Sequence, residues 1–361
     1  MKILYITDHL RGGGAEQQFA HIVNNIPAEK YIYLTEDKGI RLKTVNNDIP
    51  VSGGHGKRRL PKSIREIKEI IEDFKPDIVH SFLMYSCLVC ALAIKISKIK
   101  PFFICQEFSS PEQILREVKF YHFKKFLIRM TYKMADMLIT SSNEVKKEII
   151  QEKYAHFSKT KVIAEGIELS KFSTLHSKEE LKTKLKLCQN CVYFIYVGSL
   201  VGRKGVKYLI RAFNKINDDG LRLLIVGEGR EKIELEKIAA GNPRIEFLGY
   251  KENAIEYIKA SDVFVLPSMY EGLPNVIIEA MAVGTAVIAT NVYGIKDLIK
   301  NMVNGLLITA KDTDELKCAM ETMLNDYQMR KIFADKSLRN VRYFSIERMV
   351  NDYTVLYASL L

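Results

Sequence analysis

No apolar run in this 361-residue chain approaches the ~18 residues needed to cross a bilayer. No segment is low in complexity, and no repeat with a period of about 20–50 residues is visible, which argues against solenoids and propellers. The opening Met-Lys-Ile-Leu-Tyr-Ile-Thr passes straight into a strand-like pattern, so no secretory leader is expected. A cytoplasmic location follows as an expectation. Cysteine is sparse: the chain has six, with Cys87/Cys90 and Cys188/Cys191 each spaced Cys-x-x-Cys. A zinc site would require the two pairs to converge. Cys87 and Cys90 lie in an apolar, helix-like run, where a thiol behaves as a small hydrophobe, so buried thiols rather than metal or redox chemistry are expected. Gly-x-Gly-x-x-Gly is absent as well, which removes the dinucleotide-binding fingerprint.

What is present suits two ordinary domains. Hydrophobic residues make up 47% of the chain, enough for substantial cores. Short apolar runs alternate with amphipathic helical spacing throughout, which predicts an α/β protein with parallel sheets covered on both faces. The net charge of +11 is uneven: residues 1–168 hold 27 Lys/Arg against 20 Asp/Glu, and the remainder 27 against 23. Such a surface attracts nucleic acid, anionic lipid or phosphorylated substrates. The basic residues follow helix faces and no nucleic-acid motif accompanies them, so no nucleic acid is expected as a partner. Residues 111–134 interleave Lys119, Lys124, Lys125, Arg129 and Lys133 with Phe120, Tyr121, Phe123 and Phe126. That pattern fits either a helix packed on its own domain or one lying in a membrane interface, and Lys57-Arg58-Arg59 adds weight to the second.

The most informative stretch is Tyr270–Ala282. The apolar Val263–Leu266 reads as a buried strand, Glu271-Gly272-Leu273-Pro274 as a turn, and Asn275 onward as a helix. Proline near the first helical position costs no hydrogen bond. A strand, a glycine turn and a helix start present backbone N–H groups and the positive end of a helix dipole at one point, which suits a phosphate. Glu271 and Glu279 can both face a ligand there, and a carboxylate beside a nucleotide commonly chelates a ribose diol. A second strand-to-helix loop, Gly198–Gly205, carries Arg203 and Lys204, cations able to reach a diphosphate. A third, at Gly12-Gly13-Gly14, would let a ligand approach the backbone closely.

Glu271 and Glu279, eight apart around Gly-Leu-Pro-Asn, resemble the Glu-x7-Glu motif of the retaining GT-B glycosyltransferases of glycosyltransferase family 4. The resemblance covers nearly the whole chain and is densest from 192 to 308. It implies two Rossmann-like parallel-sheet domains facing each other across a deep cleft, with the C-terminal helix crossing back to the N-terminal domain. The expected domains are 1–170 (with about 344–361) for the acceptor and 171–343 for the nucleotide sugar. It further implies that Glu271 contacts the donor sugar and Glu279 the ribose. Gly272, Leu273, Pro274, Asn275 and Val276 would serve the diphosphate through backbone N–H groups. Gly13 and Gly14 would close over the reaction centre, while Gly227 and Tyr250 would join the donor site. The family's Gly-Arg-x4-Lys-Gly is matched at Lys204-Gly205, but Ser199 holds the Arg position and Arg203 is the substitute. A histidine that many relatives carry near the end of the strand that here reads Ile104-Cys105-Gln106-Glu107-Phe108 is replaced by Phe108. His80 and Glu107 remain as candidates to face the acceptor or the sugar.

The implied activity moves a hexose or N-acetylhexosamine from a UDP-sugar to a lipid-linked or surface-polysaccharide acceptor, with retention of configuration. Lys204, Arg203 and Glu271 form the catalytic set, and the protein would be peripheral on the inner face of the plasma membrane. Metal-dependent transferases place an Asp-x-Asp beside the diphosphate. No Asp-x-Asp is read anywhere in this sequence, so no metal or other cofactor is expected. Two alternatives share the architecture: a UDP-sugar epimerase, for which no cluster of acids and bases beyond His80 and Glu107 is apparent, and a non-catalytic nucleotide-sugar-binding partner.

Overall fold

A computed structural model describes residues 1–11, 13–116 and 119–361, with the backbone alone at 113 and 116. The chain divides into two compact units, Met1–Gly166 with Ile346–Leu361, and Ile167–Ser345. The first is built on strands β1 (Lys2–His9), β2 (Glu29–Asp37), β3 (Val51–Gly53), β4 (Ile78–Phe82), β5 (Phe102–Glu107), β6 (Met137–Thr140) and β7 (Thr160–Val162). They form a parallel sheet in the order β3-β2-β1-β4-β5-β6-β7. The second contains β8 (Val192–Val197), β9 (Leu221–Val226), β10 (Ile245–Gly249), β11 (Val263–Leu266), β12 (Ala286–Thr290) and β13 (Leu306–Ile308), parallel in the order β10-β9-β8-β11-β12-β13.

The central strands are apolar on both faces because helices cover both. Ile3 to Ile6 of β1 and all four residues of β11 are fully buried, which is why they read as continuous hydrophobic runs rather than alternating ones. Strand order reverses between β1 and β4 and again between β8 and β11. Loops leaving neighbouring strands then diverge to opposite faces, opening a crevice at the strands' carboxyl ends, where open α/β sheets bind ligands. The second crevice is flanked by Gly198–Gly205 after β8 and Pro267–Leu273 after β11.

The last helix, Ile346–Ala358, belongs to the first unit. Met349, Tyr353, Leu356 and Tyr357 join Tyr5, Phe82 and Phe108 in its core, and Arg348 reaches the Ala164 carbonyl at 2.8 Å. The single helix expected over 111–134 is divided into Pro111–Arg116 and Tyr121–Met134, with Phe120 in the left-handed region (φ 64°) capping the second. Residues 117 and 118 of that span lie outside the described residues. Strand β3 went unforeseen, since three residues carry no readable period. Among the described residues no helix is long and apolar enough to cross a membrane.

Candidate functional site

The loop after β8 makes a 3-10 turn over Gly202–Lys204 and exits through Gly205, at φ 67°. A Cβ at Gly205 would stand 2.1 Å from the Pro267 carbonyl oxygen, so only glycine lets this loop close on the end of β11. The Met269 N–H then donates to the Arg203 carbonyl at 2.7 Å, and the two loops share one geometry. Lys204 is delivered to Glu271, its Nζ 2.5 Å from Oε1. The buried Ser268 donates to the same oxygen at 2.6 Å, and Arg203 places a guanidinium nitrogen 3.6 Å from Oε2. The Lys204 and Glu271 side chains are only 12% and 7% exposed. The two loops therefore hold one buried carboxylate against two cations, the stronger kind of charge-assisted contact. Arg203 also lies over the Tyr270 ring, 5.7 Å from its centre.

The turn is buttressed from β12. Thr290 donates to the Ser268 carbonyl at 2.5 Å. Gly294, at φ 77°, packs so tightly on the Gly272 carbonyl that a Cβ would lie 1.2 Å from its oxygen. Pro274 precedes the helix Asn275–Ala282, and no side chain caps that helix start. Its first N–H groups are thus not taken up by a cap, and the buried Asn275 Oδ1 has no hydrogen-bond partner among the described residues. Glu279 lies one turn further on, half-buried, and burial raises its carboxyl to about 7. Gly272, Leu273 and Val276 belong to this same turn and helix start. Gly227 follows β9 and donates to the Gly249 carbonyl at 2.8 Å, while Tyr250 beyond it is 72% exposed. Ser268, Thr290 and Gly294 were missed by sequence reasoning. Their only signal was position at or after the end of a strand, which many small residues share.

In the first unit Gly13 caps the helix Gly14–Asn25 without a side-chain hydrogen bond; Gly12 of that loop lies outside the described residues. His80 does not face a ligand. It is fully buried, with Nδ1 2.6 Å from the Tyr357 hydroxyl and Nε2 3.1 Å from Gln106 Oε1, and burial lowers it to about 3. Its place in the core reflects a C-terminal helix whose packing the local sequence cannot reveal. Glu107, at the end of β5, lines a cavity of about 470 Å³ with Asp8, Arg58, Leu83, Leu127 and Ile128. Glu107 is buried, its Oε1 has no hydrogen-bond partner among the described residues, and burial raises the carboxyl to about 8.

Arg58 is not a free surface cation. It pairs with Asp8 at 3.0 Å and Glu36 at 3.2 Å and stacks on Tyr85. Lys125 is likewise neutralised, by Glu112 at 2.9 Å and Glu152 at 2.7 Å. The aromatic residues are outward: Phe120, Phe123 and Phe126 are all more than half exposed. Buried thiols are found at Cys87, Cys90, Cys105 and Cys191, but Cys188 and Cys318 are exposed.

An Asp-x-Asp does occur, contrary to the premise behind metal independence: Asp312-Thr313-Asp314. Both carboxylates have structural work. Asp312 caps the helix Thr313–Asn325 by accepting from the Asp314 and Glu315 N–H groups, and Asp314 accepts from Lys215 Nζ at 2.6 Å.

The chain matches the family model described as Glycosyl transferases group 1 over residues 177–339 and that described as Glycosyltransferase Family 4 over residues 12–171. It is similar, at 30% identity across 83% of this chain and 79% of the relative, to the UDP-Gal:alpha-D-GlcNAc-diphosphoundecaprenol alpha-1,3-galactosyltransferase of Escherichia coli. A Campylobacter jejuni GalNAc-alpha-(1->4)-GalNAc-alpha-(1->3)-diNAcBac-PP-undecaprenol alpha-1,4-N-acetyl-D-galactosaminyltransferase is 26% identical, covering 100% of this chain and 99% of that one. Among solved structures, Anabaena HepE in complex with UDP shares the fold, with a TM-score of 0.86 at 20% identity over 99% of this chain and 100% of that one.

Proposed function

From the premise that this chain belongs to the GT-B glycosyltransferases of the family 4 type, we propose that it transfers a hexose or N-acetylhexosamine, with retention, from a UDP-sugar to a lipid-linked acceptor in surface-polysaccharide biosynthesis. The observation that carries the reading is the grip of Lys204 and Arg203 on Glu271 beside an uncapped helix start. Preorganised donors stabilise charge as it develops on a leaving group better than any group that must reorient. A diphosphate entering the crevice competes with Glu271 for both cations and meets the N–H groups at Asn275 and Val276. Glu271, released from the cations, accepts from hydroxyls of the donor sugar and positions it. Glu279 accepts from the ribose diol, a task for its ionised form.

In the transfer the bond from the anomeric carbon to the phosphate oxygen breaks, and a bond to the acceptor oxygen forms on the same face. The acceptor proton goes to the departing phosphate, so no carboxylate nucleophile is required. Lys204 and Arg203 supply the charge that a metal supplies elsewhere, and transfer proceeds without one. The first unit offers the acceptor the Glu107 cavity. The exposed Phe120, Phe123 and Phe126, among lysines, rest on the cytoplasmic face of an anionic membrane. The two relatives act on undecaprenyl-linked glycans by name, which supports an acceptor of that class, and a neighbour of the same fold binds UDP.

The test is UDP release from a panel of nucleotide sugars with undecaprenyl-diphosphate glycans, in chelator-treated buffer. Release that depends on the lipid-linked acceptor and survives chelation is expected. Turnover only with added metal, or with no nucleotide sugar at all, sinks the reading.

A further inference from the structure

Cys188 and Cys191 stand at the two ends of the turn that carries the chain from the helix Lys178–Lys184 into β8, with Gln189 and Asn190 at its apex. Such a turn brings its end Cα atoms within about 7 Å, which overlaps the ~4.4–6.8 Å a disulfide spans. The turn is clamped on several sides. Lys182, itself buried, donates to the carbonyls of Gln189 at 3.2 Å and Cys191 at 2.9 Å. The Cys188 N–H donates to the Tyr193 hydroxyl at 2.9 Å, and Gln189 Nε2 reaches Thr183 Oγ1 at 2.9 Å.

The two sulfurs differ. Cys188 is exposed and Cys191 buried. The neighbouring Cys191 thiol, the backbone at Asn190 and Cys191 and the positive charge of Arg222 together outweigh desolvation and lower Cys188 below the usual thiol value. Burial raises Cys191. An accessible sulfur held toward thiolate, with a protonated thiol beside it, is the arrangement of a thiol that attacks and one that resolves.

We propose that Cys188 and Cys191 are a disulfide-exchange site, oxidised to an internal bridge by a low-molecular-weight disulfide of the glutathione class. The Cys188 thiolate attacks one sulfur of that disulfide, breaking its S–S bond and releasing one thiolate, which takes a proton. Cys191 loses its proton and attacks the Cys188 sulfur, expelling the second small thiol. Two protein thiols are oxidised and one small disulfide is reduced to two thiols. The site is at the amino end of β8, whereas Lys204 follows its carboxyl end, so the reaction is separate from sugar transfer.

Full-length protein incubated with glutathione disulfide, then read by intact mass and peptide mapping, tests this. Expected is a species about 2 Da lighter, bridged between Cys188 and Cys191, with any stable glutathione adduct confined to Cys318. Cys191→Ser should trap glutathione on Cys188, and Cys188→Ser should leave Cys191 unmodified. A stable adduct on wild-type Cys188, reaction at Cys188 no faster than at Cys318, or a bridge that forms only in denaturant overturns the proposal. The serine variants should melt with the parent, which keeps the readout on chemistry rather than folding.

Discussion

Glu271 and Glu107 both lie at or just beyond the carboxyl end of a parallel strand, one in each unit, and both are nearly closed to water (7% and 2% exposed). Their surroundings could hardly differ more. Glu271 has Lys204, Arg203 and Ser268 on its two oxygens. Glu107 has an Oε1 with no hydrogen-bond partner among the described residues, and burial holds its proton on up to about pH 8. Burial alone thus says little about what a carboxylate does. A carboxyl buried away from any cation favours its neutral form. The first glutamate is suited to an anionic partner that exchanges for it; the second, neutral at pH 7, is suited to an uncharged hydroxyl or amide.

Removing the cation from the first site should have the largest effect. Lys204→Ala should lower the transfer rate by about 10²–10³, the range for loss of one preorganised donor. It should also destabilise the second unit by about 3 kcal/mol, because Glu271 is left buried and less well paired. Steady-state turnover and urea unfolding check the two halves, and an unchanged rate would remove the distinction between the sites.

At the second site, Glu107→Gln should stabilise the protein. Glu107 has a folded value raised above its ordinary one, so the native state keeps a proton that the unfolded chain releases above about pH 4.5. Stability therefore falls as pH rises from about 4.5 to 8. The glutamine variant lacks that slope and should gain roughly 3 kcal/mol near pH 7, with no gain near pH 4.5. Urea unfolding across this pH range measures it; equal slopes would mean that Glu107 is ionised in the fold.

His80→Leu sharpens the contrast by touching neither site. It leaves the Tyr357 hydroxyl and Gln106 short of a partner and should cost about 1–3 kcal/mol of stability with the turnover number unchanged. A drop in the turnover number of the folded variant would return His80 to the site. The smallest effect is expected at Glu279, raised to about 7 by burial. Donor KM should climb as pH falls below that value, by up to about tenfold per pH unit, and Glu279→Gln should be weak and flat. A wild-type KM that is itself flat between about pH 6 and 8 would remove Glu279 from the ribose.

Much of this was legible in the chain. The buried parallel strands announce themselves as unbroken apolar runs because both sheet faces are covered, and Val263–Leu266 is the clearest example. Glu271, Lys204 and the Pro274 helix start were readable because a strand, a turn and a helix place them by local geometry. The three-residue β3 was not readable, nor was the break at Phe120. The fate of individual charges was hidden too. Arg58 and Lys125 read as solvent-facing cations until Asp8, Glu36, Glu112 and Glu152 were found against them.

Sequence by itself determined which segments become strands and helices, and which residues end up at strand termini, since periodicity and turn chemistry act over a few neighbouring positions. Only the tertiary structure decided that Ser268 and Thr290 lock the Glu271 turn, that His80 belongs to the core beneath Tyr357, and that Glu107 stays uncharged. Those outcomes depend on atoms brought together from positions up to 277 residues apart. The energy of a buried charge or hydrogen bond is set by what surrounds it in space, and not by its neighbours along the chain.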